Sequence, residues 1–410
     1  MGRVEQGTGL SDAVASGSFV AARRKQCALC SESLETVIEL PDLPLTDTFC
    51  REPVENPLKG VDQRLLYCSA CGHGQLETQI ASEFLYGSNY CFRTSTSITA
   101  RKGTEFFLAL LEEVAPGQHF KCVLDLGCND LFLLSKLKDR ADIRIGIDPV
   151  WKGRELERDD SSITVYGEDI ENIELSGLKA KPDLIVCRHT LEHIFNPMAV
   201  LNSLMEAAAP DALFIFEVPG FDCLINRGRF DQVFHQHLQY FSHESFLNMI
   251  EKSGGQFLLH RENYHDWGAM AMAFKRSSKE KESSKKTLAP CLNKIKLHYK
   301  MFQFQMEATK ETLIALDGNR IYGFGAGQML PVLAYHIGND LGCLTAVLDD
   351  DLDKDALSYW NLPVKIMLSS RAQDISEASV LITAIDNAQP ILKKLLVNRP
   401  RHIIYPFSII

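Results

Sequence analysis

The chain has 410 residues, 45% of them hydrophobic and 23% charged, with a formal net charge of -10. That length suits two to four globular domains, with cores large enough to need no disulfide frame. The negative charge argues against nucleic acid as the main partner, and no apolar run reaches the roughly 18 residues that a membrane span takes.

Residues 1–24 are small and polar and lack the apolar core of a secretory signal. A disordered tail on a cytoplasmic protein is therefore expected. Residues 25–95 hold two cysteine pairs, Cys27-x-x-Cys30 and Cys68-x-x-Cys71. Each such turn sets two thiolates on one side of a tight loop, and two loops complete the four-sulfur tetrahedron that zinc prefers. Four thiolates leave no open position, so the expected ion is structural Zn2+. Gly72 lets the backbone fold back towards sulfur. His73 reads as a surface residue, and the remaining cysteines read as free thiols.

Over 96–275 the pattern changes. Residues 101–115 have the apolar spacing of an amphipathic helix. Strands follow at KCVLDLG, IRIGID, ITVYGED, DLIVCR and ALFIFEVP, with a helix through AVLNSLMEAAA. Strands alternating with helices in this way predict a parallel doubly wound sheet, so the fold class is α/β. Residues 276–318 read as a charged, serine-rich linker running into a long helix, and 319–410 as a smaller Rossmann-like α/β domain.

The first strand of the central domain runs from Asp125 into Gly127, a turn where a backbone can approach a ligand and helix N–H groups stand free. The second strand ends in Asp148, placed for ribose hydroxyls, and the third in Asp169, placed for an adenine amino group. Arg188 ends the fourth and lines the same cleft. The turn does not read GxGxxG. One glycine with two acidic strand ends points to S-adenosylmethionine rather than to a nicotinamide.

VLDLGCND, DLIVCRHTLEHIFNP and FDQVFHQHLQYFS, in this order behind a CxxC…CxxC module, resemble the zinc-containing sugar C-methyltransferases. These are nucleotide-deoxysugar C-3 methyltransferases that act on nucleoside-diphosphate 4-ketohexoses. The family also ends in a small Rossmann-like domain with a GxGA-type turn, here Gly323-Phe324-Gly325-Ala326, so the likeness spans about 25–410. It implies that His237 is the base that removes a proton alpha to the ketone, a task suited to imidazole. His193 would assist at the sugar, and Tyr90, in an aromatic-Ser/Thr stretch with Arg93, would supply a hydroxyl. His235, two residues before His237, reads as structural.

The sequence departs from the family in three places. Leu131 stands where members commonly have Gly, and is expected to alter the methionine end of the donor pocket. Phe234 and Gln236 replace the Tyr and Glu of a Tyr-x-Glu-His pattern, removing a phenol and a carboxylate from the segment. An O- or N-methyltransferase for another small polar acceptor, or a donor-binding protein with a decayed site, are the alternatives this leaves. The Gly323–Gly327 turn could cradle a phosphate, but reads better as a scaffold that walls the acceptor pocket. A monomer acting on a small molecule, with no nucleic-acid or membrane partner, completes the expectation.

Overall fold

A computed structural model describes residues 20–46, 49–51, 60–81, 85, 93–158, 160–263, 268–276, 291–372 and 374–407. The chain starts with β1 (Val20–Arg23), β2 (Glu35–Leu43), β3 (Phe49–Cys50), β4 (Val61–Cys68), β5 (His73–Leu76) and β6 (Thr78–Ile80). β2, β4 and β5 pair antiparallel. Alternation along β2 turns Ile38 and Leu40 inward while Glu39 faces water, as a half-solvated antiparallel sheet requires. The second cysteine pair sits at the β4–β5 turn, where Gly72 has φ 75°. Val20–Arg23, within the segment read as a tail, pairs with β6.

The central unit holds α1 (Ile98–Val114), β7 (Phe120–Leu126), α2 (Phe132–Lys136), β8 (Ala141–Ile147), β9 (Ile163–Tyr166), β10 (Leu184–Arg188), α3 (Pro197–Ala207), β11 (Leu213–Pro219), α4 (Phe221–Arg227), β12 (Gln239–Tyr240), α5 (His243–Lys252), β13 (Gly255–Asn263) and β14 (Ala269–Arg276). Its seven-stranded sheet runs β13-β14-β11-β10-β7-β8-β9. β7 to β11 are parallel, and β14 enters antiparallel between β11 and β13. Helices cover both faces, so β7, β10 and β11 are near-continuous apolar runs, as buried parallel strands are. The five parallel strands are those expected from the sequence; the closing β13–β14 pair was not. β13 has mixed polarity and a bulge near Phe257–Leu259, which blurs its period of two.

The last unit begins with α6 (Leu292–Ala315) and continues through β15 (Ile321–Phe324), α7 (Leu330–Ile337), β16 (Ala346–Asp349), β17 (Ser358–Tyr359), β18 (Ile366–Leu368), β19 (Ser379–Ile382), α8 (Ala388–Asn398) and β20 (His402–Ile404). Five of its strands form a parallel sheet, β18-β16-β15-β19-β20. Of the stretch read as a linker, 277–290 lies outside the described residues. Among the described residues no helix is long and apolar enough to cross a membrane.

The three units share one seam. β12, from the central unit, adds to the edge of the first sheet by pairing with β5. β3 pairs with β17 of the last unit. Between α4 and β12 the chain is buried almost throughout: Phe230 packs its ring against Tyr299 and Phe302 of α6, centroids 5.3 and 5.8 Å away. Arg229 binds Asp231 through two hydrogen bonds and reaches Asp386 of the last unit at 2.9 Å. His235 points towards the first sheet, where its Nε2–H donates to the Leu43 carbonyl at 2.9 Å and its Nδ1 faces the Gln63 amide at 3.4 Å.

Burial lowers His235 from 6.5 to about 4, so folding selects the neutral ring. Below its ordinary pKa the unfolded chain binds a proton that the folded chain refuses. Stability from this site is therefore complete above about pH 6.5 and is lost as the pH falls towards about 4. At about 1.4 kcal/mol per pKa unit the loss approaches 3 kcal/mol. Thermal melts between about pH 7 and pH 5 should show a falling Tm, and His235→Gln should be less stable at neutral pH but show a flatter pH dependence.

Candidate active site

The four cysteines of the two pairs converge. Cys27 lies 3.6 Å from Cys71, and Cys30 lies 3.4 Å from Cys68 and 3.6 Å from Cys71, sulfur to sulfur. A tetrahedron with bonds of about 2.3 Å separates its sulfurs by roughly 3.8 Å, so the cluster fits a zinc ion with little adjustment. Burial pushes the Cys30 thiol up to about 11, and the Cys27 sulfur holds Cys71 well above its ordinary value. Four thiolates would repel one another in this volume, and a divalent ion would supply the missing charge. His73 is not at the surface: it is fully buried, its Nε2 2.9 Å from the Gln239 amide oxygen. β12 covers the strand that carries it, which the local sequence does not reveal.

Behind this module a cavity of about 1110 Å³ opens at the C-terminal ends of the central strands. Asp125, Gly127, Asp148, Asp169, Arg188, His193 and His237 all line it. Tyr90 lies outside the described residues. Gly127 has φ 71°, and a Cβ there would stand 2.0 Å from the Thr190 hydroxyl. That contact requires glycine twice over, by conformation and by space. The turn is fastened from outside. Asp148 accepts from the backbone N–H of Asn129 at 2.8 Å and of Val150 at 2.9 Å, and Thr94 N–H donates to the Asn129 side chain.

The acidic residues differ in setting. Asp125 is buried, and burial raises it to about 7 despite the nearby Arg188. Burial also raises Asp148. Asp169 is exposed at the cavity mouth. Arg188 is committed elsewhere: its Nε donates to Glu217 at 2.5 Å, its terminal nitrogen reaches Thr104 at 3.0 Å, and it lies over the Phe107 ring. Strand register makes this pair, since Arg188 sits opposite Glu217 on β11. Leu131 adopts φ 64° ahead of α2, a left-handed conformation that glycine adopts without steric cost. Its side chain is buried in the core beneath the turn and does not line the cavity, so the expected change to the donor pocket does not arise from direct contact.

Beside the glycine turn, on the neighbouring strand, β10 gives way to a tight turn at Leu191–His193. His193 Nδ1–H donates to the Gln236 carbonyl at 2.7 Å, which aims the other face of the ring at the cavity. His237 lies 5.1 Å from His193 and 4.2 Å from Phe234, ring to ring. Residues 233–238 form a turn rather than a strand, so His235 and His237 diverge, one into the first sheet and one into the cavity. Burial lowers His237 to about 3, keeping it neutral. The Gln236 side chain donates to the Leu85 carbonyl at 3.3 Å.

One contributor lies beyond what the sequence indicated. Glu192 is buried, and one of its oxygens stands 3.6 Å from His189 Nδ1 and 4.0 Å from His193 Nε2. Nothing in the local sequence marks it beside His193, because only the tight turn brings it inward. From the last unit, Gln328, Met329 and Asp386 complete the wall. The Gly323–Gly327 turn itself is occupied by its own chain: Ala326 N–H donates to Asp349 at 2.7 Å and Tyr359 hydroxyl to the Gly327 carbonyl at 2.8 Å. An anion would meet the Asp349 carboxylate there.

Residues 99–258 match the family described as a methyltransferase domain. The C-methyltransferase NovU of Streptomyces niveus is 31% identical over 139 residues. That match takes in 32% of this chain and 32% of NovU, so the chain spans about a third of the curated relative it matches. Among solved structures, the N-methyltransferase NodS of Bradyrhizobium japonicum with S-adenosyl-L-homocysteine aligns with 48% of this chain and 95% of its own, at 16% identity and a TM-score of 0.36. The plantazolicin methyltransferase BpumL aligns with 44% of this chain and 86% of its own, at 13% identity and the same TM-score of 0.36.

Two outcomes follow from these geometries. Gly127→Ala should abolish S-adenosylmethionine binding in calorimetry, because the added methyl overlaps Thr190; pairing it with Thr190→Gly should recover part of the affinity. Metal analysis of the purified chain should find one zinc per chain at the cysteine cluster, and Cys71→Ser should lower both the zinc content and the Tm.

Proposed function

We propose that this chain, whose residues 99–258 are an S-adenosylmethionine-dependent methyltransferase domain, methylates a carbon of a nucleoside-diphosphate keto-deoxysugar. The observation that carries the reading is the meeting, in one cavity, of a methyl-donor type of strand-end set with a buried imidazole pair. The cavity exceeds the roughly 300–1,000 Å³ that one drug-sized ligand fills, which suits a donor and an acceptor together. Zinc at the cysteine cluster is structural on this reading, because it has no open position and stands outside the cavity lining.

The residues divide the work. Asp148 and Asp169 hold the ribose and adenine of the donor, and the Gly127 turn admits its backbone-facing edge. S-adenosylmethionine, when bound, supplies an electrophilic methyl, which forms the new carbon–carbon bond while the sulfur keeps the electron pair of the broken bond. His237 takes the proton alpha to the ketone, and the electrons of that C–H bond become the enolate. His193, its tautomer set by the Gln236 carbonyl, donates from Nε2 only when protonated and otherwise accepts a hydrogen bond from the sugar. Tyr90 is proposed for the remaining sugar contact. Gln328, Met329 and Asp386 enclose the nucleotide side. The cavity is complete within one chain, which supports action as a monomer; a cytoplasmic setting suits the free thiols. Phe234 has no hydroxyl for an enolate oxygen, and this observation favours the second reading, O- or N-methylation of another small polar acceptor.

Calorimetric titration with S-adenosylmethionine, then with thymidine-, guanosine- and cytidine-diphosphate sugars, tests the assignment. The donor should bind wild type and His237→Ala alike, one nucleotide sugar should be retained, and turnover should fall about 10²–10⁴-fold in the variant. Solvent hydrogen should enter the carbon alpha to the ketone. Donor binding with no nucleotide sugar recognised would defeat the sugar assignment, and methylation without such exchange would point to oxygen or nitrogen.

A further inference from the structure

The segment that carries His237, Phe230–Ser242, has one acidic residue, Asp231. Asp231 is bound by Arg229. The base therefore has no carboxylate of its own chain segment, yet a buried imidazole that accepts a proton becomes a buried cation, which needs a compensating charge. The fold provides one from another element. A Glu192 oxygen and ring nitrogens of His193 and His237 lie within 4.8 Å of one another. Glu192 is 1% exposed, and neither of its oxygens has a hydrogen-bond partner among the described residues. A carboxylate in that position is costly to bury unless a positive group faces it.

We propose that Glu192 is the positioning residue for proton abstraction: its carboxylate, held by the turn after β10, faces the imidazoles of His193 and His237 and stabilises the proton that His237 removes. The inference rests on the reading of His237 as the base. The step balances simply. The C–H bond of the acceptor breaks, its electron pair stays on carbon as the enolate, the proton forms an N–H bond on His237, and Glu192 stays ionised throughout as the counter-charge.

The surroundings fit this role. Burial tends to raise Glu192, and the facing His189, His193 and His237 imidazoles outweigh it and keep the carboxylate below its ordinary value. The charged and titratable groups facing it are His189 and His193 from its own turn, Cys187 from β10, and His237 from the turn before β12. Arg188 is engaged by Glu217, so Glu192 is left to the imidazoles. Gln236 occupies the residue beside the base but donates to Leu85.

The test is Glu192→Gln, which keeps the shape and removes the charge, with Glu192→Asp as the conservative variant. Affinity for S-adenosylmethionine should stay within about twofold, because the Glu192 carboxylate faces the imidazoles and is not one of the groups assigned to the donor. Solvent exchange at the acceptor's alpha carbon and methyl transfer should both fall about 10²-fold in Glu192→Gln. The acidic limb of kcat should move to lower pH, since a weaker base needs less alkaline solution to be free, and Glu192→Asp should recover part of the rate. A second readout needs no acceptor: imidazole ring-nitrogen NMR signals of His193 and His237 should move in Glu192→Gln while those of the distant His235 and His336 stay. Unmoved His237 signals, full exchange in Glu192→Gln, or equal displacement of all four histidines with a lower Tm would overturn the proposal. So would a second divalent ion per chain, beyond the cysteine cluster, that Glu192→Gln loses. If wild type turns over no keto-sugar while the NMR shifts appear, the sugar assignment fails and the Glu192 pairing stands.

Discussion

Everything in this molecule turns on the polar satisfaction of one buried stretch, Phe230–Phe241. It runs between three sheets with almost no exposed atoms, so its backbone and side-chain polar groups must find partners inside the protein. The first sheet supplies the Leu43 carbonyl to His235 and the ladder of β5 to β12. The central unit supplies His193 to the Gln236 carbonyl. The last unit supplies Asp386 to Arg229, a half-buried guanidinium at the start of the stretch that two carboxylates share. Losing either carboxylate leaves the other charges less well matched in a largely enclosed site. The stretch is thus held in one conformation by three independent sets of contacts.

That arrangement explains why a cysteine module remote from the cavity belongs to the site. Its second cysteine pair lies at the β4–β5 junction, and β5 carries both the ladder partner of β12 and His73, whose ring meets Gln239. Order at the sulfurs passes through two strands to the turn that bears His237. Phe234 and Phe241 pack into different clusters, on either side of this ladder.

Much of the fold was legible in the sequence, because it is written in local patterns. The parallel strands are apolar runs, most of them followed by an acidic or glycine residue, and each lies within a few residues of its expected place. The cysteine cluster was legible from spacing alone. What escaped was decided by neighbours distant in sequence. β14 depends on pairing with β11, and β13 on pairing with β14, rather than on their own periodicity. His73 looks like a surface residue until β12 covers it. Arg188 looks like a cleft residue until strand register sets Glu217 beside it. Glu192 lies next to a residue that was singled out, and only the tight turn after β10 carries it inward. Leu131 shows the reverse case: its departure from glycine was visible, but its left-handed backbone and inward side chain were not.

The pairing of β3 with β17 closes a loop in which Cys50 meets Ser358, 308 residues apart. Contacts of that span form late, because the chain must surrender its freedom over the whole loop before the contact returns anything. During synthesis the first sheet waits with β5 as an open edge until Gln239 and Tyr240 emerge, and its join to the last unit waits longer still. An exposed strand edge is where a nascent chain pairs with the wrong neighbour. The interlacing that steadies the finished cavity therefore makes the order of emergence, and the chaperones present meanwhile, part of how this protein reaches its native state.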